Sequence, residues 1–255
     1  EAMELNYWTG IEFEGGVYDE RQARWQVVLR RADGTVREVR PRHIVMATGV
    51  SGIPNLPDNA GLKNFTGTVL HSSKYDDGEN WTGKRAIVIG TGNSGHDIAH
   101  DLYSSGAAVT LVQRSPTLIT NLEPSAQLAY AIYSEGTLED NDLIATSMPL
   151  PLARRTHKML TEQSKALDQK LLDALARVGF KLDFGDDGTG WQFKYLTRGG
   201  GYYINVGCSD LVARREIELR QFADIESFEP EGARMKNGEV LELAARYSNR
   251  QGLTP

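Results

Sequence analysis

The stretch Ala86-Ile-Val-Ile-Gly90-Thr91-Gly92-Asn93-Ser94-Gly95-His96-Asp97-Ile98-Ala99 has the residue types and spacing to hold a dinucleotide. A β-branched run meets a GxGxxG turn and then an amphipathic segment, which reads as strand, phosphate loop and helix. Gly90 takes the tight turn, Gly92 lets a pyrophosphate approach the backbone, and Gly95 lets the helix pack closely on the strand. The free N–H groups of the helix start face the anion, and Thr91, Asn93 and Ser94 lie within the same cradle. The pattern alone says little in a chain with 26 glycines, so its flanks decide. Ile98, Ala99 and Leu102 share one helical face, Ser104-Ser105-Gly106 stops the helix, and Ala108 to Val112 supplies a second strand, completing the start of a βαβ unit. Where that strand ends, a fold preferring NAD carries an acid for the ribose hydroxyls, whereas this chain offers Gln113-Arg114-Ser115. A guanidinium there pairs with a 2′-phosphate and stacks on adenine, so NADPH is the expected coenzyme.

The elements that must position this loop belong to an α/β chain of 255 residues, long enough for one large domain or two modest ones. Its 34 acidic and 28 basic residues give a net charge of −6 with no basic stripe, which argues against a nucleic-acid partner. No apolar run reaches the length of a membrane span and no signal-like start is evident, so a soluble cytoplasmic protein is the expectation. The single cysteine, Cys208, excludes an internal disulfide and a CxxC pair and reads as a small core residue. His96 and His100 stand one helical turn apart. Without a third ligand they make no metal site, and their place opposite Ile98 and Leu102 predicts two solvated side chains. The opening Met3 to Trp8 looks like an element already in progress, which predicts a piece of a longer chain.

Residues 11 to 50 carry three strand-like runs, with Asp33-Gly34 as a hairpin turn, Trp25, Val27 and Leu29 alternating onto one buried face, and a third run from Val36 to Val45. The segment His43 to Gly49 ends in the small residues Ala47, Thr48 and Gly49, where backbone could touch a ligand or swing between domains. Pro54 and Pro57 forbid a helix in the linker that follows. Residues 121 to 180 lean helical, above all Thr161 to Val178, where Leu167, Leu171, Leu175 and Val178 recur at helical spacing until Gly179. The glycine- and aromatic-rich stretch 182 to 205, with Gly199-Gly200-Gly201 beside Tyr202 and Tyr203, reads first as packed turns and second as a pocket wall. Short strands are expected at Glu216 to Leu219, Ile225 to Phe228 and Glu239 to Leu243, with Lys236-Asn237-Gly238 as a hairpin turn.

Residues 47 to 115 resemble the flavin-containing monooxygenases, which are built on two dinucleotide-binding folds. The match rests on Phe65, Gly67, His71 and Tyr75, which look like the family's FxGxxxHxxxY/F motif, together with Ala47-Thr48-Gly49, the loop Gly90 to Gly95, and Gln113-Arg114-Ser115. The stretch Gly201 to Asp210 is similar to a bacterial and fungal branch near the auxin-forming plant enzymes. The resemblance implies an NADPH- and FAD-dependent monooxygenase, in which NADPH reduces FAD, the flavin captures O2 as a C4a-hydroperoxide, and one oxygen atom enters a small organic substrate. It implies that Gly90 to Gly95 cradle the pyrophosphate and Arg114 grips the 2′-phosphate, with Gln113 beside it. Ser72 and Ser73 then lie near the NADP backbone, and His71 and Tyr75 couple the linker to the nucleotide domain.

The implied architecture is a partial FAD domain over 1–50 with an antiparallel meander, a linker over 51–84, and a Rossmann-type parallel-sheet NADPH domain over 85–243. That domain carries a helical insert at about 121–200, and a divergent tail covers 244–255. No first GxGxxG precedes residue 47, so the FAD cradle is expected outside this sequence. Two other readings are a flavoprotein NADPH reductase without oxygenation and a non-catalytic NADPH-binding fragment. Tyr75 tilts the expectation toward heteroatom or keto-acid oxidation; oligomeric state has no sequence signal.

Overall fold

The structure, a computed structural model, describes residues 7–49, 54–56 and 61–242. Two compact units divide the chain, Glu1–Gly52 and Ile53–Pro255. The opening before Tyr7, the linker residues 50–53 and 57–60, and the tail from 243 lie outside the described residues.

In the first unit β1 (Ile11–Asp19), β2 (Arg24–Arg31) and β3 (Val36–Val39) form an antiparallel meander in that order. The Asp33 carboxylate accepts from the backbone N–H and the hydroxyl of Thr35 at 2.9 and 2.6 Å, which fixes the β2–β3 turn. Val27 is buried, with Trp25 and Leu29 half-buried beside it on the alternating face. The third strand is shorter than its β-branched composition suggests. It ends at Val39, and the expected continuation to Val45 and through His43–Gly49 forms no strand, with Val45 and Met46 exposed. Pro41 explains the stop, because proline brings no N–H to a ladder; its carbonyl still accepts from Trp25 at 2.9 Å.

The second unit opens with three short 3₁₀ turns and then β4 (Arg85–Ile89), α1 (Asn93–Ser104) and β5 (Ala108–Gln113). It continues with β6 (Leu118–Asn121), a 3₁₀ segment over Ala126–Ser134, α2 (Leu138–Ser147), α3 (Leu150–Arg177) and α4 (Gly190–Arg198). It closes with β7 (Tyr202–Asn205), α5 (Cys208–Ala213), β8 (Glu218–Gln221), β9 (Ile225–Glu229), β10 (Gly232–Met235) and β11 (Val240–Glu242). Strands β4, β5 and β8 make a parallel sheet in that order, β6 and β7 a parallel pair, and β9 to β11 an antiparallel meander with β10 central.

Helix α3 starts well before Thr161, with a proline in its first turn where no N–H partner is lost. Its buried face is Thr161, Asp168, Leu172 and Leu175, and Leu167 is exposed. The leucine period follows the flank of that face because two of its members are polar residues satisfied by hydrogen bonds. The stretch 182–205 is also more regular than its glycines suggest, since it holds α4 and β7. Strand β10 carries no sequence signal of its own: it is short, and pairing on both sides makes it a strand.

The core gathers Ala99 and Leu102 of α1, Leu111 of β5, Leu172 and Leu175 of α3, and Cys208, Val212 and Ile217. A smaller cluster of Val112, Ile225, Phe228, Ala233 and Met235 seats the β9–β11 meander against the sheet. Burying such side chains contributes about 1.5–3 kcal/mol each, and it holds α1 rigidly against β5.

Candidate functional site

At the carboxyl end of β4 the chain turns sharply through Gly90, with φ of +118°, and enters α1. The Gly90 N–H donates to the Val112 carbonyl at 2.9 Å, so the turn stays tied to β5. Gly95 lies directly over it: a side chain there meets the Gly90 carbonyl, and only a hydrogen permits this approach. The first backbone N–H groups of α1 have no helical acceptors, no acid occupies the first turn, and Gly90, Gly92, Asn93, Ser94 and Gly95 line a cavity of about 560 Å³. That is the electrostatics of an anion site.

The cavity has two characters. Its polar side adds Ser72, His71, Arg114 at the end of β5, and Gly199, Gly200 and Gly201. Its apolar side is built from Leu56, Leu62, Phe65, Val69, Phe222 and Phe228. The volume suits a dinucleotide's bulk, and the open cradle at Gly90 and Gly92 fits a pyrophosphate.

The linker is fastened along this wall. Thr66 donates to the Pro230 carbonyl from its N–H at 3.2 Å and from its hydroxyl at 2.6 Å, with Gly67 following. The His71 ring nitrogen Nδ1 accepts from the Ser73 N–H at 3.2 Å, capping the turn Ser72–Lys74 and setting Ser72 in the wall. Ser73 itself is engaged with His71, its hydroxyl 3.0 Å from Nδ1. The Tyr75 hydroxyl donates to Asp101 of α1 at 2.6 Å; burial and then that bond push the phenol's pKa up. Tyr75 therefore ties the linker to α1, whereas the bonds of His71 stay within the linker.

Two expected site residues turn away from the cavity. Gln113 is buried, donating from Nε2 to the Lys181 carbonyl at 2.9 Å while its Oε1 accepts from the Lys181 N–H at 2.8 Å and from Gln221 at 3.0 Å. Its amide is spent joining β5 to the segment after α3, because strand alternation turns it away from Arg114. The Thr91 hydroxyl pairs with Thr117 at 2.6 Å on the side away from the cavity. Thr48 and Gly49 are exposed residues of the first unit. Conversely, Gly199–Gly201 and Tyr202 do line the cavity, which reverses the preference for a packed turn. Lys194, itself buried and ion-paired with Asp183, supports that run from below Gly201. Phe222 and Phe228 gave no sequence signal, since they reach the site only through tertiary packing.

His96 is fully buried, not solvated. Its ring stacks on Tyr203 with centroids 4.0 Å apart and planes within 6°, Nδ1 donates to the Gly92 carbonyl at 3.3 Å, and Nε2 has no partner. The α1 face pressed on the core is His96, Ala99 and Leu102, one step round from the face marked by the aliphatic residues alone. No group of metal-ligating side chains exists among the described residues. Burial lowers the His96 pKa from 6.5 to about 4, outweighing the backbone bonds that raise it. Between those values the unfolded chain carries the extra proton, so stability falls as pH drops through the window, by about 3 kcal/mol in full. Melting temperature measured from pH 6.5 to 4 is expected to fall less in His96→Phe, which keeps a stacked ring without a titrating nitrogen. An equally steep profile in the variant rejects His96 as the source.

Cys208 is fully buried, and its thiol pKa is pushed up to about 12, mainly by burial. Between β7 and α5 the chain turns through a single glycine, Gly207, with φ of +123°. No helix among them is long and apolar enough to cross a membrane.

The profile of a family described as pyridine nucleotide-disulphide oxidoreductase matches residues 32–140. A probable indole-3-pyruvate monooxygenase of Arabidopsis thaliana, YUCCA9, is 33% identical over 234 residues, covering 91% of this chain and 50% of that protein. The rice indole-3-pyruvate monooxygenase YUCCA1 is 36% identical over 106 residues, covering 42% of this chain and 25% of its own length. Among solved structures, the NADP+-bound cyclohexanone monooxygenase of Rhodococcus sp. Phi1 superposes with a TM-score of 0.57 over 91% of this chain and 50% of that one, at 18% identity, a likeness of fold. The chain thus spans from a quarter to half the length of these curated relatives.

Proposed function

We propose that this chain, similar over most of its length to flavin monooxygenases, whose cofactors are NADPH and FAD, forms the NADPH-holding part of an enzyme that inserts one atom of O2 into a small organic substrate. The observation that carries this reading is the single cavity in which the glycine loop, Arg114 and the linker residues Phe65, His71 and Tyr75 meet. Gly90 and Gly92 to Gly95 hold the pyrophosphate against the N–H groups of α1, Arg114 holds the 2′-phosphate, and Ser72 hydrogen-bonds the coenzyme backbone. The apolar wall of Phe65, Phe222 and Phe228 excludes water from the rest of the ligand. NADPH supplies hydride and the flavin supplies oxygen activation at C4a; the chain's own work is binding, orientation and exclusion of solvent.

The relatives named for indole-3-pyruvate favour a keto acid as substrate, one of the two classes, heteroatom or keto-acid, toward which Tyr75 points. The family description also allows a disulfide reductase, but a lone, buried Cys208 supplies no dithiol. The purified full-length protein is expected to be yellow, to consume O2 with NADPH, and to transfer isotopically labelled oxygen from O2 to product. A colourless protein that leaves NADPH unoxidised overturns the proposal, and NADPH oxidation without label in any product turns it into a reductase.

A further inference from the structure

A buried polar chain runs from the helical insert toward the phosphate loop, and no part of it touches the cavity. It begins at Asp168 on α3, a carboxylate only 3% exposed. Four donors converge on it: the Thr120 hydroxyl at 2.9 Å, the Asn121 N–H at 3.0 Å, Asn121 Nδ2 at 2.7 Å and the Ser125 hydroxyl at 2.7 Å. A carboxylate is acceptor only, so it forces the Asn121 amide to present its NH2 group. The Asn121 oxygen is then left to accept from Asn205 Nδ2 at 2.8 Å.

The second Nδ2 hydrogen of Asn205 goes to Asp210 at 2.8 Å, and its oxygen accepts from the N–H groups of Gly207 and Ser209 at 3.0 and 3.1 Å. Asp168 sets the direction of the Asn121 amide, Asp210 with the Gly207 and Ser209 N–H groups sets that of Asn205, and the bond between the two amides locks β6 to β7.

Strand β7 is also the backrest of the phosphate loop. The Ile204 N–H, one residue before Asn205, donates to Asn93 Oδ1 at 3.1 Å, and the Tyr202 carbonyl passes behind Gly92. At the head of β6 the Thr117 hydroxyl meets Thr91 inside the loop. A shift of β6 against β7 therefore displaces the backbone N–H groups that face the anion, while Arg114, which directly follows β5, keeps its place.

We propose that Asp168 is a positioning residue for dinucleotide binding, acting through Asn121, Asn205 and Ile204 on Asn93. The inference rests on the reading that the glycine loop holds NADPH, and the test separates the two. Asp168→Asn keeps the shape but puts a donor where only acceptors fit, so the Asn121 amide loses the partner that fixes its direction and with it its bond to Asn205. Two probes are titrated into wild type and variant: NADP+, and 2′-AMP, which keeps the adenine and the 2′-phosphate but has no pyrophosphate.

The variant is expected to bind NADP+ about tenfold more weakly, within the usual range for coupling between sites, and 2′-AMP unchanged. Global loosening of the fold weakens both probes alike, and that result, or unchanged NADP+ binding, overturns the proposal. Wild type that binds 2′-AMP but not NADP+ removes the assigned loop function and the positioning role with it. Should Asp168→Asn fail to fold, Ser125→Ala and Thr120→Val each withdraw one donor from the carboxylate. They carry the same test, with the same divergence between the probes expected and its absence overturning the role.

Discussion

Gly95→Ala is expected to leave the chain unable to hold NADPH at concentrations that saturate the wild type. A methyl group on residue 95 meets the carbonyl oxygen and carbon of Gly90, both of them backbone. The loop cannot retreat, because the Gly90 N–H is bound to Val112 of the neighbouring strand. Relief comes only from moving α1 off β4, which pulls apart the N–H groups that define the anion site and opens the core at Ala99 and Leu102. Overpacking of this kind costs about 3 kcal/mol at its upper end, and if the loop bears all of it, affinity drops roughly a hundredfold. Calorimetric titration with NADP+ beside a thermal melt reads both consequences. Wild-type affinity in the variant refutes the close helix-on-loop contact.

Arg114→Ala is expected to be selective where Gly95→Ala is general. Hydrogen bonds to a charged partner contribute about 1.5–3 kcal/mol, so NADPH binding weakens by about 10- to 100-fold. NADH, which has no 2′-phosphate, changes little. Arg114 is solvent-exposed at the mouth of the cavity, so added salt screens the interaction and narrows the gap between the coenzymes. Affinities for both coenzymes at low and high ionic strength settle the point. An equal loss for NADPH and NADH rejects the 2′-phosphate role.

The loop was readable from sequence because everything that defines it is local. Strand, three glycines, helix and second strand follow one another from Ala86 to Val112, and each has its own pattern. The facing wall is a product of tertiary structure. Gly199–Gly201, Phe222 and Phe228 arrive from more distant stretches of the chain, and a cluster of glycines or a single phenylalanine looks the same in a turn, a core or a pocket. Polar residues inside the fold are hidden from a sequence reading for a related reason. His96 and Gln113 count as surface types in any hydropathy pattern, yet a stacked ring and a fully bonded amide carry them inward. The end of β3 was available in principle, since Pro41 outweighs the β-branched residues around it.

The parallel pairing of β6 with β7 has a consequence for how the protein can change over time. Because the two strands run parallel, the segment that contains α2, α3 and α4 leaves at Asn121, at one end of the strand pair, and re-enters at Tyr202, at the other, so both of its ends are fixed by the same pair. Closing a longer loop between fixed ends costs little more than closing a short one. Helices can therefore be lengthened, lost or exchanged within the segment without moving the glycine turn, provided one acid still reaches the Asn121 amide. The strand pair works as a collar, separating a part of the molecule free to diversify from a part that cannot.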